Sequence, residues 1–186
     1  MVTSPAFLSS KGALILVLAI LYPSAPALTK NSDIETAGNG MKFALPAASL
    51  ALNLVHKDTD GAWQLGASFL GAFGASRLLK EIVQEERPDH SGMDSFPSSS
   101  TASAFAAASS IQVRYGWNYG LPAYSMAAFV GYSRVAADKH HWQDVAAGAV
   151  IGWGVGQLVT SGYQPLPEIQ AYGGTEGAAL QATWHW

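Results

Sequence analysis

The sequence predicts an all-α fold, a bundle of about five helices with a small C-terminal β-hairpin. Apolar segments of helical length alternate with short polar breaks. Small residues recur at helical spacing, as in Gly148, Gly152 and Gly156, which lie at i, i+4 and i+8 and leave a smooth face for a neighbouring helix. Strand alternation is confined to the tail. The 186 residues suffice for one domain with a core; they are 49% hydrophobic and 12% charged. A net charge of −3 gives no reason to expect nucleic acid as a partner, and the absence of cysteine excludes disulfides and thiolate chemistry.

In chain order, residues 1–27 have the form of a secretory signal. Lys11 is followed by the ten-residue apolar run Ala13–Tyr22, too short to span a bilayer comfortably, and Ala25-x-Ala27 has the small residues of a cleavage site. The expected location is therefore periplasmic, with an uncleaved anchor or a buried first helix as alternatives. Residues 28–165 form the helical domain and 166–186 the tail. Thr29–Gly40 is expected as a loop. Met41–Val55 is expected as a helix with Pro46 near its start, where proline is tolerated. His56–Gly61 is a turn in which Thr59 or Asp60 caps a helix from about Ala62 to Glu86, stopped by Pro88. Lys80 and Arg87, seven apart, would then share a helix face. Asp89–Ser95 is a polar loop. Ser98–Thr101 leads into a helix to about Val113, presenting free backbone N–H groups that suit an anion.

Arg114–Gly120 is expected as a connection and Pro122 as the start of a helix to about Tyr132. Ser133-Arg134 follows, then a loop with Asp138, Lys139 and His140, then a helix from about Trp142 to Val159. If helical, His140 and Asp144 share a face, and a carboxylate on one ring nitrogen fixes the tautomer and raises the basicity of the other. Trp117, Trp142 and Trp153 are expected in the core or at the bundle ends. Tyr115–Ser133 is free of acids and of basic residues, as is Val145–Pro167, which leaves a membrane-embedded domain as an alternative. Apolar and polar residues alternate from Ala178 onward, and Gly173-Gly174 offers a turn for a hairpin over residues 168–186.

The pattern Lys80-x6-Arg87-Pro88, then Pro97-Ser98-Ser99-Ser100, then Ser133-Arg134-x5-His140-x3-Asp144 resembles the type 2 phosphatidic acid phosphatase superfamily, which includes bacterial class A acid phosphatases and vanadium haloperoxidases. The resemblance covers roughly residues 40–160. It implies that Lys80, Arg87 and Arg134 bind phosphate oxygens, with Ser98 and Ser99 in the same cradle. His140 would form a phosphohistidine and Asp144 would orient it. No cofactor is implied; vanadate would serve as a phosphate mimic. The expected partner is a phosphorylated small molecule or lipid phosphate, with a membrane surface as a further contact.

The middle motif departs from the family's Pro-Ser-Gly-His. Ser99 replaces the glycine, and Ser100 replaces the histidine that by resemblance protonates the leaving group. A serine hydroxyl is too weak an acid for that task, and general acid catalysis typically contributes about 10²–10⁴-fold. Three readings follow: a phosphatase with another acid (His141 and His90 are the candidates) or with good leaving groups, an impaired homologue that binds phosphate without turnover, or an engineered substitution. A haloperoxidase is a lesser alternative, as is a metal on His140, His141 and Asp144.

Overall fold

The computed structural model describes residues 31–164, 168–174 and 177–183. Among these residues it has five helices: α1 (Asn31–Val55), α2 (Thr59–Ile82), α3 (Ser99–Tyr115), α4 (Trp117–Ala136) and α5 (Trp142–Val159). Two strands, β1 (Glu168–Gly174) and β2 (Gly177–Thr183), pair antiparallel with Glu168 opposite Thr183 and Gly174 opposite Gly177. The all-α bundle and its hairpin are as expected. The signal segment 1–27 lies outside the described residues.

Helix α3 is the centre of the bundle and packs against each of the other four helices. Its sequence allows this. Ala102, Ala104, Ala106, Ala107 and Ala108 are fully buried on several sides of the helix, so neighbours approach its backbone rather than long side chains. Helix α5 meets it through the glycine stripe. A β-carbon on Gly148 would lie 2.5 Å from the Ser98 carbonyl oxygen, one on Gly156 would lie 2.5 Å from the β-carbon of Ser109, and one on Gly152 would collide with the Ala102 carbonyl. The larger core side chains, Leu45, Leu52, Leu65, Ile111, Met126 and Val130, fill the space among α1, α2, α3 and α4.

Several boundaries differ from the sequence expectation, each for a local reason. Asn31–Gly40 is helical and extends α1, with Asp33 in the first turn where a carboxylate suits the helix dipole. The extension is anchored at Gly38, which is packed so closely on Ser133 that no side chain fits. Pro46 therefore lies inside α1 rather than near its start. The cap of α2 is Asp58, whose Oδ1 accepts the Gly61 N–H at 2.8 Å, not Thr59 or Asp60.

Helix α2 ends at Ile82, well before Pro88, because the chain from Val83 onward is extended and pairs with the Asp94–Ser95 segment; Ser95 N donates to Glu85 O at 2.9 Å. The expected Arg114–Gly120 connection shrinks to Gly116, whose φ of +82° lies in the region that favours glycine, and Pro122 lies within α4. Trp117, Trp142 and Trp153 are exposed (64%, 58% and 51%) and so are not core residues.

Candidate active site

The buried stripe of α2 runs Gly61, Leu65, Ser68, Ala72, Ser76, Lys80, steps of three and four that keep one face inward. Lys80 is the last residue of that stripe, which explains how a lysine comes to be only 5% exposed. Its ammonium donates to the Asp94 carbonyl oxygen and, at 3.1 Å, to that of Ser95. Arg87 lies beyond the helix, so the expected shared face of Lys80 and Arg87 does not exist. The two cations converge nonetheless, because the extended segment folds back: Arg87 Nε and Nη2 grip Asp94 at 2.8 and 3.1 Å. Lys80 retains one donor and Arg87 three beyond these bonds. Burial, then the neighbouring Arg87, lowers the pKa of Lys80, with Asp94 and Asp144 opposing.

His140 lies in the loop before α5, as expected, and His141 caps the helix. The condition for a shared i, i+4 helical face is therefore not met, and the two residues pair from loop to helix. His140 Nδ1 lies 3.5 Å from Asp144 Oδ2, within ion-pair range but without hydrogen-bond geometry. The backbone N–H of His140 reaches back to the Arg134 carbonyl at 3.3 Å, which ties this loop to the end of α4.

Asp144 is fully buried, and its Oδ2 accepts the Ser95 hydroxyl at 2.5 Å and the His141 backbone N–H at 2.8 Å. Its main-chain carbonyl accepts the Ser98 N–H at 3.0 Å. One residue thereby joins the start of α5, the loop before α3 and the cap of α3. Burial, then the positive charges of Lys80 and Arg87, pushes the His140 pKa down to about 4, against the opposite pull of Asp144 and the Ser95 backbone. Its imidazole is therefore neutral near pH 7, with a lone pair available.

Ser98 caps α3: its Oγ accepts the Thr101 N–H at 3.4 Å and the Thr101 hydroxyl at 2.9 Å. Ser99 and Ser100 are the first two helical residues, and the start of a helix leaves their N–H groups without intrahelical acceptors. Ser99 is not among the residues with positive φ. The serine at the glycine position of the motif therefore causes no backbone strain.

Arg134 is the exception to convergence. It is buried, and its guanidinium is directed to α1, donating to Asn39 Oδ1 at 3.0 Å, to the Glu35 carbonyl at 3.2 Å and to Ser133 Oγ. Of the two alternative acids, His90 is on the surface with Glu86 at 2.8 Å. His141 turns Nδ1 toward Glu85 at 3.3 Å.

Three residues in this cluster were not singled out from the sequence as site residues. Asp94 and Ser95 sit just before the Phe96–Pro97 pair, inside a stretch read as a polar loop and its edge. Glu85 falls near the end of the helix expected from about Ala62 to Glu86. Only the fold-back of the chain after Ile82 brings them to Lys80, Arg87 and Asp144.

The model of the PAP2 superfamily matches residues 61–167, which include Lys80, Arg87, the Ser98–Ser100 turn, Arg134, His140 and Asp144. The chain is 30% identical over 179 residues to a lipid A 4'-phosphatase of Helicobacter pylori, covering 87% of this chain and 90% of that protein. It is 41% identical over 98 residues to a lipid A 1-phosphatase of Porphyromonas gingivalis, covering 50% of this chain and 21% of that much longer protein. A crystal structure of Aquifex aeolicus LpxE has the same fold, with a TM-score of 0.61 and 23% identity over 78% of this chain and 93% of that one. Motif, fold and relatives agree: this chain belongs to the PAP2 superfamily.

Proposed function

We propose that this chain is a lipid-phosphate phosphatase, with residues 28–165 as its phosphatase domain. The observation that carries the reading is the gathering of Lys80, Arg87 and a neutral, buried His140 beside Asp144 at the start of α3. In the proposed reaction a ring nitrogen of His140 attacks phosphorus and the ester P–O bond breaks. The leaving oxygen takes a proton, and water then cleaves the P–N bond to regenerate the imidazole. Lys80 and Arg87 neutralise the phosphoryl oxygens, joined by the N–H groups of Ser99 and Ser100. Asp144 holds the ring and balances the charge that His140 acquires. Arg134 acts in this scheme by leaving Asn39 and Glu35 for the phosphate, or else as a brace for α1.

Two features support a lipid substrate. The named relatives are lipid A phosphatases, and the cleft leading to Ser99 and Ser100 is apolar. Phe43, Phe69 and Phe73 line a cavity of about 210 Å³ with Ser99, Ser100 and Ser103, and Lys42 stands at its edge. Along their lengths α1 and α2 also expose Phe43, Leu54, Trp63, Leu70, Leu78 and Ile82, apolar side chains that suit an amphiphile or a bilayer face. No described helix is long and apolar enough to cross a membrane. Periplasmic location, by way of residues 1–27, belongs to the same proposal.

Ser100 favours one second reading, a homologue that binds phosphate with little turnover. The two are separated by measuring hydrolysis of an aryl and an alkyl phosphate. The proposal expects measurable aryl turnover by the chain itself, abolished by His140→Ala. It expects Ser99→Gly with Ser100→His to raise alkyl hydrolysis by about 10²–10⁴-fold and aryl hydrolysis by less, because an alkoxide needs the acid more. Absence of turnover in both proteins, with vanadate still bound, selects the binding reading.

A further inference from the structure

Next to the His140–Asp144 pair, on the side of Glu85, lies a second cluster whose ligand atoms have the spacing of a metal site. We propose that Glu85, His141 and Asp144 bind a divalent transition cation of the zinc type. His141 Nδ1 is 3.3 Å from Glu85 Oε1 and 3.6 Å from Asp144 Oδ2, and ligand atoms of the three residues all lie within 4.8 Å of one another. Nitrogen and oxygen ligands at about 2.0–2.2 Å from a tetrahedral ion sit about 3.3–3.6 Å apart, so two edges already have the required length.

The cluster also holds unsatisfied atoms. Asp144 is fully buried, and while its Oδ2 carries the Ser95 and His141 N–H bonds, its Oδ1 has no partner among the described residues; His141 Nδ1 meets hydrogen-bond geometry with neither carboxylate. Buried polar atoms ordinarily find partners, and a cation would supply one to each.

The surroundings resemble those of a built site. The Ser95 hydroxyl and the His141 N–H orient the Asp144 carboxylate, as outer hydrogen bonds orient metal ligands elsewhere. Glu85 is held by the Ser95 N–H on its carbonyl. Glu85 and His141 are 38% and 40% exposed, so an ion has an entry path, and three protein ligands leave the fourth position to water. Imidazole with carboxylates suits zinc and its neighbours better than magnesium. Lys80, which also faces Asp144, opposes the ion's charge and keeps the affinity moderate.

The test is titration of tag-free protein with Zn²⁺ by calorimetry, in parallel with Glu85→Gln and His141→Ala, each shown to be folded by circular dichroism. One site is expected, weakened at least about tenfold in each variant. Zn²⁺ should also shift the ring nitrogen resonances of His141 and leave those of His56 and His90 in place. Isotherms that are the same for all three proteins, or shifts at His56 or His90 in place of His141, overturn the proposal. Neither readout needs turnover, so failure of the phosphatase reading leaves this result interpretable.

Discussion

His140 and Asp144 are only four residues apart in sequence, yet their relation is set by groups from elsewhere. Ser95 and the His141 N–H occupy one carboxylate oxygen of Asp144, and Lys80 and Arg87 bear on His140 electrostatically. A free imidazole titrates near its ordinary pKa of 6.5, whereas burial and the two cations lower His140 to about 4. The sign follows directly. The proposed nucleophile is lost on protonation, so kcat/KM for an aryl phosphate should stay level as pH falls through 6.5 and drop only near 4. A limb centred between 6 and 7 would show that His140 is not the nucleophile or is not held in this environment.

Ser100 is a residue-scale departure that the bundle tolerates at no structural cost, since the helix start accepts serine readily. The sequence made this substitution visible; it did not reveal that Ser99 would sit in ordinary helical backbone.

At the scale of elements, the α3–α5 pair is the tightest contact and depends on missing side chains. Gly152→Ala places a methyl group on the Ala102 carbonyl, a backbone atom that cannot swing aside. The helices must separate, and the loss should be about 1–3 kcal/mol, read as a fall in the urea midpoint. Gly154→Ala is the control: a β-carbon there meets nothing within 4 Å, so helix propensity alone should make it neutral or slightly stabilising. The glycine spacing at i, i+4 and i+8 makes this interface legible in the sequence. Helix ends were less legible. The stop at Ile82 comes from pairing with Asp94 and Ser95, a partner that no local signal in Val83–Pro88 identifies, and the capping role of Asp58 depends on where the turn of α2 begins.

Across the whole molecule, polar networks close the bundle at both ends. The candidate site lies at the end where α1 begins. The other end is closed by Arg114 and Asp58, which pair at 2.5 and 2.6 Å with Tyr115 and Gln64 adding further bonds. Asn39, on the site side of α1, and Asn53, at the far network, are 14 residues apart, or about 21 Å along the helix. Both Arg114 and Asp58 side chains are almost wholly buried.

Asp58→Ala should therefore cost about 3–5 kcal/mol, since it strands a buried guanidinium, and should lower the melting temperature without altering the site. Burial pushes the Asp58 pKa up, but bonds from Arg114, the Gly61 N–H and Tyr115 outweigh it and leave it below 3.8. A lowered carboxylate pKa gives stability that is present above the unfolded value and lost as pH falls through the folded one. The parent protein should thus lose stability below about pH 4, while Asp58→Asn should lose less over that interval, as denaturant melts at pH 3 and pH 6 would show.

The sequence alone determined that the chain is a helical bundle and that Lys80, Arg87, Arg134, His140 and Asp144 stand at spacings that resemble the superfamily's motif. It also placed serine at position 100, where the resemblance would have histidine. These properties are legible because helical periodicity is local and the motif spacings are fixed along the chain. Tertiary structure decided which groups meet. It turned Arg134 toward α1, brought Arg87 to Asp94 through a fold-back, gave Asp144 to Ser95, and set Glu85 beside His141. Each of these contacts joins residues tens of positions apart, or lies beyond a helix end fixed by such a contact, and side-chain direction there depends on packing that no sequence window contains.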